Sequence, residues 1–484
     1  MFVRDVRNIP RFFVDASTFS TLPTHQSYRP LVTATAAIDY RIGGGLNPAA
    51  FHATNFTLFL AQCLLMFMLY VKVMDLARPD ASNRRVALFA AALYGVHPAN
   101  AETVNYIIAR SEILSTLGVV AALVLFLQGG RSRRLGLYLA PAAAAMLAKE
   151  QAAMFAPLLL VYVLLFEDRR AAIRETWPAF VLCGALGVLG QRMAPSFVAG
   201  GSSRWHYALT QPYVVLHYVG MFFLPIGLSA DSDWMPLTHA LDYRVIAGAL
   251  GIAGLLAAAW AASRRRETRP IAFGLLWFLI ALLPTSSVVP LAEVLNDHRV
   301  YFPFVGLTLA VVWAAAMAVQ RVRVRWAAPA AAVVVLAAMA YGTHERNIVW
   351  RTEESLWLDV TRKSPNNGRG LMTYGVIRMT EGDYATADRY FERALPLVPE
   401  YSYLHVNIAI LKGALNRTAE AEEHFRLAQQ YDPDNPICYY FYARWLTQIG
   451  RVSDATIQAR RALDLSPGYA DARDLLTFLN SRPR

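Results

Sequence analysis

The chain has 484 residues, 56% of them hydrophobic and only 17% charged, with a mean hydropathy of +0.32. A soluble domain carries roughly 25% charged residues, and the deficit lies in residues 51–342, so a wholly soluble protein is excluded. The formal net charge of +11 would suit a nucleic-acid binder, but the basic residues gather in short loops between apolar runs, which reads as membrane topology and excludes nucleic acid as the partner.

In chain order, the opening MFVRDVRNIPRF is too charged for a cleavable signal peptide, so the first apolar run is expected to act as the insertion signal. A spanning helix needs about 20 apolar residues. Spans are predicted near 53–74, 86–106, 112–128, 135–149, 151–166, 177–194, 243–262, 271–289, 299–318 and 326–342. The further apolar stretch 211–228 is assigned by charge. If it does not cross, the clusters Arg84-Arg85, Arg131 to Arg134, Arg169 to Arg174, Arg264 to Arg269 and Arg321 to Arg325 all fall on one side. Residues 1–50, the loop 195–242, the segment 290–298 and the C-terminal block then face outward, toward a bacterial periplasm or a eukaryotic lumen. Cys63, Cys183 and Cys438 show no disulfide or metal-ligand spacing.

Residues 343–484 have an ordinary soluble composition and repeat at a fixed interval. Pro365, Pro399, Pro433 and Pro467 are evenly spaced at the tetratricopeptide period, as are Ala387, Ala421 and Ala455, and Ala394, Ala428 and Ala462. Gly382, Asn416 and Gly450 align, and Phe391 and Phe425 fill the large apolar position. Small alanines let paired helices pack closely, and each proline ends a second helix. Full repeats are expected over 368–401, 402–435 and 436–469, with a leading helix at 353–363 and a closing one at 470–480. The predicted fold is therefore all-α, a polytopic membrane domain (51–342) followed by a tetratricopeptide-repeat solenoid (343–484). Tyr439, Tyr440, Tyr442 and Trp445 could line a peptide surface, although aromatic stripes more often pack internally.

Ionisable groups inside apolar context are costly and usually mark a site. Four clusters qualify: His97, Glu102, Arg110 and Glu112 in 93–114; Lys149 and Glu150 in 146–155; Glu293, Asp297, His298 and Arg299 in 290–304; and His52 with Asn55 at the first span. In the topology above all four sit at outer helix ends and could converge on one outward cavity. The bland alternative for each is a helix cap or a local ion pair, such as Lys149 with Glu150. The sequon Asn55-Phe56-Thr57 falls inside a span and carries no meaning there. No phosphate-binding glycine loop, dinucleotide pattern, zinc spacing or nucleophile elbow appears. Chemistry at an outward cavity, away from ATP, needs a donor that is already activated.

The segments SYRPL (27–31), GGGLNPAAFHATN (43–55), HPANAE to ARSEILS (97–115), LAKEQ (147–151), LPIGLSADSDW (224–234) and HRVYFP (298–303) occur in this order before the repeats. This ordered set resembles the transmembrane and tetratricopeptide-repeat-containing protein O-mannosyltransferases, a GT-C-type glycosyltransferase family. The resemblance implies transfer of a sugar from a polyprenyl-phosphate donor to hydroxyl groups of a protein acceptor on the outer face; no cofactor besides this donor is expected, and members of the GT-C class differ in whether they require a divalent metal. It implies a catalytic carboxylate in the first outer loop, carried by an aspartate pair after one more span. Here Asp5 is followed by Val6, so the pair is incomplete. It also implies Glu102 and His97 as groups that position acceptor or base, with Asn100 where the family has a second histidine. Arg299 and Tyr301 match the lipid-end arginine motif, with His298 in place of the usual acid. Arg110, Lys149, His52 and Glu150 complete the residues expected around the lipid phosphate. The repeats would bind the acceptor or a partner polypeptide. The competing expectation is a catalytically inactive, membrane-anchored repeat scaffold.

Overall fold

The computed structural model describes residues 2–19, 27–194, 203–287, 290–320 and 326–481; the Arg321 to Arg325 cluster lies outside them. The chain divides into two compact units. One holds residues 1–228 and 234–350, the other 229–233 and 351–484.

The first unit is helical, and six of its described helices are long and apolar enough to cross a membrane: Pro48–Ala77, Ile107–Gln128, Arg169–Met193, Tyr243–Ser263, Asp297–Val319 and Ala327–Val349. Leu139–Ala148 and Glu150–Phe166 are apolar but shorter. Hydrogen bonds between helix ends reveal two opposite poles. At the first, Arg78 donates to Gln320 at 2.8 Å, Arg266 to the Leu76 carbonyl at 2.9 Å, and Trp313 to the Glu267 carbonyl at 2.8 Å. At the second, Thr343 donates to the Val96 carbonyl at 2.7 Å and Asn105 to Asn347 at 2.7 Å. The described arginine clusters lie in the turns of the first pole, as alternating passes require.

The helix Arg204–Phe223 behaves differently. Its Tyr207 hydroxyl donates to the Thr285 carbonyl at 2.6 Å, Gln211 to Val294 at 3.2 Å and Tyr218 to Asn296 at 2.9 Å, while its Phe222 carbonyl meets His97 at 3.0 Å. Those partners all belong to the second pole. The helix also packs along Tyr243–Ser263, with Pro212 against Gly248 and Leu216 against Gly251.

Several predicted boundaries shift. The span expected over 86–106 is a helix only over Asn83–Gly95. Pro98 follows, the Asn100 amide caps the Tyr94 carbonyl at 2.7 Å, and a separate turn forms at Ala101–Asn105. Residues 1–50, read as an outer loop, contain the helix Pro30–Ile42. The helix predicted over 271–289 runs over Arg269–Leu282 and crosses Tyr301–Val319 at backbone contact. A Cβ on Gly274 would lie 2.3 Å from the Gly306 carbonyl oxygen, so this crossing requires glycine. The last helix of the unit continues to Val349, which moves the boundary between units from 342 to 350.

In the second unit the leading helix is Glu353–Lys363, capped by Thr352 and Ser355. Three pairs follow: Gly368–Thr380 with Tyr384–Ala394, Ser402–Ala414 with Thr418–Tyr431, and Pro436–Gln448 with Val452–Leu465. Ala470–Ser481 closes the stack. All six periodic alanines have no exposed surface, and Phe391 and Phe425 are buried beside them. Gly382, Asn416 and Gly450 align because each turn between paired helices needs a positive φ: 84°, 58° and 80°. Tyr442 and Trp445 stack on Phe425 inside the repeats, and Tyr439 donates to the Pro433 carbonyl. Of the aromatic stripe, these are packing residues rather than a peptide lining. The segment 229–233 packs on the first pair, where Asp231 pairs with Arg369 at 2.8 Å and Ser364 donates to the Asp231 carbonyl at 3.0 Å.

Candidate functional site

The candidate site lies at the second pole of the membrane unit, built from helix ends that the crossings above bring together. Glu102 is buried on the short turn Ala101–Asn105. One of its oxygens, Oε1, meets Nδ1 of His298 at 2.9 Å, across 196 positions of sequence. The other, Oε2, is buried without a hydrogen-bond partner among the described residues. A buried carboxylate with one satisfied oxygen and one bare oxygen is an acceptor waiting for a donor. His298 remains partly exposed, so the pair lies at the edge of the protein interior.

His97 is adjacent in sequence but differently employed. Its Nδ1 accepts from the Ala99 amide at 3.3 Å, leaving Nε2 to donate to the Phe222 carbonyl at 3.0 Å. Both ring nitrogens are used, and the ring stacks on Phe222. The imidazole is thus a neutral clamp between the HPANAE turn and the helix Arg204–Phe223.

Arg299 is buried and wraps its own loop, donating to the Glu293 carbonyl at 3.0 Å and approaching the Glu293 carboxylate at 3.6 Å. Tyr301, expected near the lipid phosphate, is fully buried and donates to Gln62 at 2.8 Å. Gln62 in turn donates to the Tyr94 hydroxyl at 3.1 Å, and Tyr94 to the Tyr301 carbonyl at 2.8 Å. That closed network anchors the helix carrying Arg299 and leaves Tyr301 no reach to a ligand.

Arg110 is similarly enclosed. It pairs with Asp39 at 2.5 Å, donates to Asn55 at 2.7 Å and to the Phe51 carbonyl at 3.0 Å. Asn55, buried under this guanidinium, cannot serve as a glycosylation acceptor. Lys149 does not pair with Glu150: it bonds Glu112, which also takes a hydrogen bond from Gln151. Glu150 instead pairs with Arg29 at 2.8 Å. The residues 149 and 150 point to different partners because the chain is extended at Lys149, turning successive side chains apart.

Two expected site residues are not drawn in. His52 is exposed on its helix and makes no hydrogen bond or ion pair among the described residues. Asp5 caps its own turn, paired with Arg7 at 2.8 Å. The Arg7 hydrogen bond holds its carboxyl below the usual range, so it is ionised at neutral pH. Asp39 and Gln62 were missed from sequence; each is a polar residue at the buried stripe of an apolar helix, a signal weaker than a motif. Among the described residues no group of three or more His, Cys, Asp or Glu is arranged to hold a metal ion.

A multi-pass helical membrane unit with a buried polar pole, joined to a tetratricopeptide solenoid, defines the class. Residues 46–190 match the family model of dolichyl-phosphate-mannose-protein mannosyltransferase. The chain is 24% identical to protein O-mannosyl-transferase Tmtc3 of Drosophila melanogaster, over 87% of this chain and 54% of that protein. It is 24% identical to human protein O-mannosyl-transferase TMTC4, over 78% and 58%, and 23% to human TMTC3, over 85% and 49%. By sequence, therefore, the chain is similar to the transmembrane and tetratricopeptide-repeat-containing O-mannosyltransferases, the family its ordered motifs resemble. It spans about half the length of these curated relatives.

Proposed function

We propose that the chain is a membrane glycosyltransferase that moves a mannose-like sugar from a polyprenyl-phosphate donor to a hydroxyl group of a protein acceptor. The observation that carries this reading is the Glu102–His298 pair, which links two motifs distant in sequence and leaves Glu102 Oε2 buried and bare. In the reaction the acceptor oxygen bonds to the sugar's anomeric carbon, the bond from that carbon to phosphate breaks, and a carboxylate takes the acceptor proton. Glu102 positions the acceptor or base, Asp5 is the base named by the family's pattern, and Arg299 faces the leaving phosphate. The similarity to protein O-mannosyl-transferases supports the reaction class, and the polar pole supports its placement on the outward face of a bacterial inner membrane or its lumenal equivalent.

The repeats bind the acceptor or a partner polypeptide in this reading. A cleft of about 370 Å³, with Ile410, Phe441, Arg444 and Gln448 on its walls, supports it.

One observation favours the scaffold reading: Arg110 and Lys149, two cations expected at the phosphate, are each held by an internal carboxylate, Asp39 and Glu112. Transfer of labelled sugar from polyprenyl-phosphate donors to proteins separates the two. Loss of transfer in Glu102→Gln or Asp5→Asn, with wild type active, supports the enzyme. Wild type inactive toward every donor, with its fold intact, leaves the scaffold.

A further inference from the structure

At the opposite, arginine-rich pole, a cleft of about 360 Å³ opens between the helices Phe155–Phe166, Tyr243–Ser263 and Arg269–Leu282. Its walls are apolar: Leu164, Leu165, Leu256, Ala259, Trp260 and Leu276. Arg169 stands at its rim, exposed, its guanidinium without a hydrogen bond or ion pair among the described residues. A second guanidinium, that of Arg264, lies 4.1 Å from the centre of the Trp260 ring.

The charge balance around the cleft is one-sided. Glu167, two residues before Arg169, and Glu175, six after it, are both engaged by Arg133, at 2.7 Å and 3.1 Å. Asp168 accepts the Arg170 amide in a turn. The positive charge of Arg169 is thus left to an external anion. The occupant must also be satisfied in an apolar wall. An inserted peptide would carry backbone N–H and C=O groups with nothing to bond, whereas an acyl chain carries none. Trp260, exposed at the helix end with a cation over its ring, has the placement of an interfacial aromatic.

We propose that this cleft binds an anionic phospholipid of the leaflet at the arginine-rich pole, its acyl chain against Leu256 and Leu276 and its phosphate facing Arg169 and Arg264. Basic clefts between membrane helices are suited to such headgroups. The site is independent of the transfer reaction, which the Glu102 pole would carry.

Native mass spectrometry of the full chain, offered phosphatidylglycerol, phosphatidylcholine and polyprenyl phosphate in separate titrations, tests it. Phosphatidylglycerol is expected to be retained in preference to phosphatidylcholine, and Arg169→Gln and Arg264→Gln each to weaken that retention about fivefold. Leu256→Trp fills an exposed part of the wall and is expected to remove bound lipid while helicity and the melting of the protein stay unchanged. Equal retention of the two phospholipids, or retention unmoved by all three variants, overturns the proposal. So does polyprenyl phosphate retention that the three cleft variants weaken more than they weaken phosphatidylglycerol retention, which would assign the cleft to another lipid. If an arginine variant fails to fold, the wild-type preference and Leu256→Trp decide.

Discussion

The two units solve the problem of burying side chains in opposite ways. In the repeat unit every buried position recurs: Ala387, Ala421 and Ala455 occupy the same place in successive helix pairs, with Phe391 and Phe425 packed beside their alanines. Each pair touches its neighbours, so stability is a sum of similar local terms. In the membrane unit the decisive contacts are single and distant, such as Glu102 with His298 and Arg110 with Asp39. The comparison teaches that periodic burial distributes stability, whereas buried charge in a helical bundle concentrates it in a few pairs.

Removing one member of such a pair should give the largest effect. Arg110→Ala leaves Asp39 as an uncompensated buried charge and is expected to destabilise the membrane unit by about 3–5 kcal/mol. Detergent-extracted protein should show this as lost monodispersity and a lower melting temperature. The double variant Arg110→Met with Asp39→Leu should recover most of the loss, and failure to recover would mean the pair does more than neutralise itself.

In the repeats, Phe425→Ala opens a cavity beside Tyr442 and Trp445 and should cost about 3–5 kcal/mol. Circular-dichroism melting is expected to report the loss. A loss confined to the repeat transition would sharpen the contrast between units; one spreading to the membrane helices would break it.

A smaller effect should follow pH. His405 accepts at Nδ1 from His424, 2.9 Å away, because its Nε2 donates to the Pro399 carbonyl at 2.8 Å. Burial lowers both imidazoles below their ordinary range; at His424 the neighbouring His405 adds to it. The neutral forms are favoured in the fold, so the unfolded chain binds more protons. The stabilisation is full above the ordinary imidazole value of about 6.5 and is lost as pH falls through the depressed values. Thermal melts from about pH 7.5 to about pH 5.5, roughly one unit either side of that value, should show the decline in wild type and flatten in His405→Asn with His424→Gln.

The smallest effect is expected at Gly382, whose φ of 84° is strained for a side chain. Gly382→Ala should cost about 1 kcal/mol, and Asn416→Gly should be nearly neutral since both residues tolerate that conformation. Equal losses for both would mean that the turns are held by contacts rather than by backbone preference.

How far the sequence could be read follows from the same contrast. The first helix of each repeat begins at Gly368, Ser402 and Pro436, at the interval the period prescribes, because a fixed period reports both helix and partner. The clustering of polar residues at helix ends was legible too, since charge inside apolar runs stands out from composition. Their pairings were not. Lys149 bonds Glu112 rather than its neighbour Glu150, and Tyr301 joins Gln62 and Tyr94 in packing rather than facing a phosphate. Nothing local distinguishes a buried aspartate such as Asp39, on an otherwise apolar helix, from a solvated one.

By itself the sequence determined that this is an all-helical membrane protein with a tetratricopeptide block, that its arginines gather between apolar runs, and the family it resembles. Those properties depend on hydropathy, charge position and period, all of which are sums over neighbouring residues. Only the tertiary structure decided that Arg204–Phe223 bonds the second pole through Tyr207, Gln211 and Tyr218, that both ring nitrogens of His97 are engaged, and that Glu102 meets His298. Each of these depends on which helix end meets which, and that is fixed by close contacts such as Gly274 against Gly306, between residues far apart in the chain.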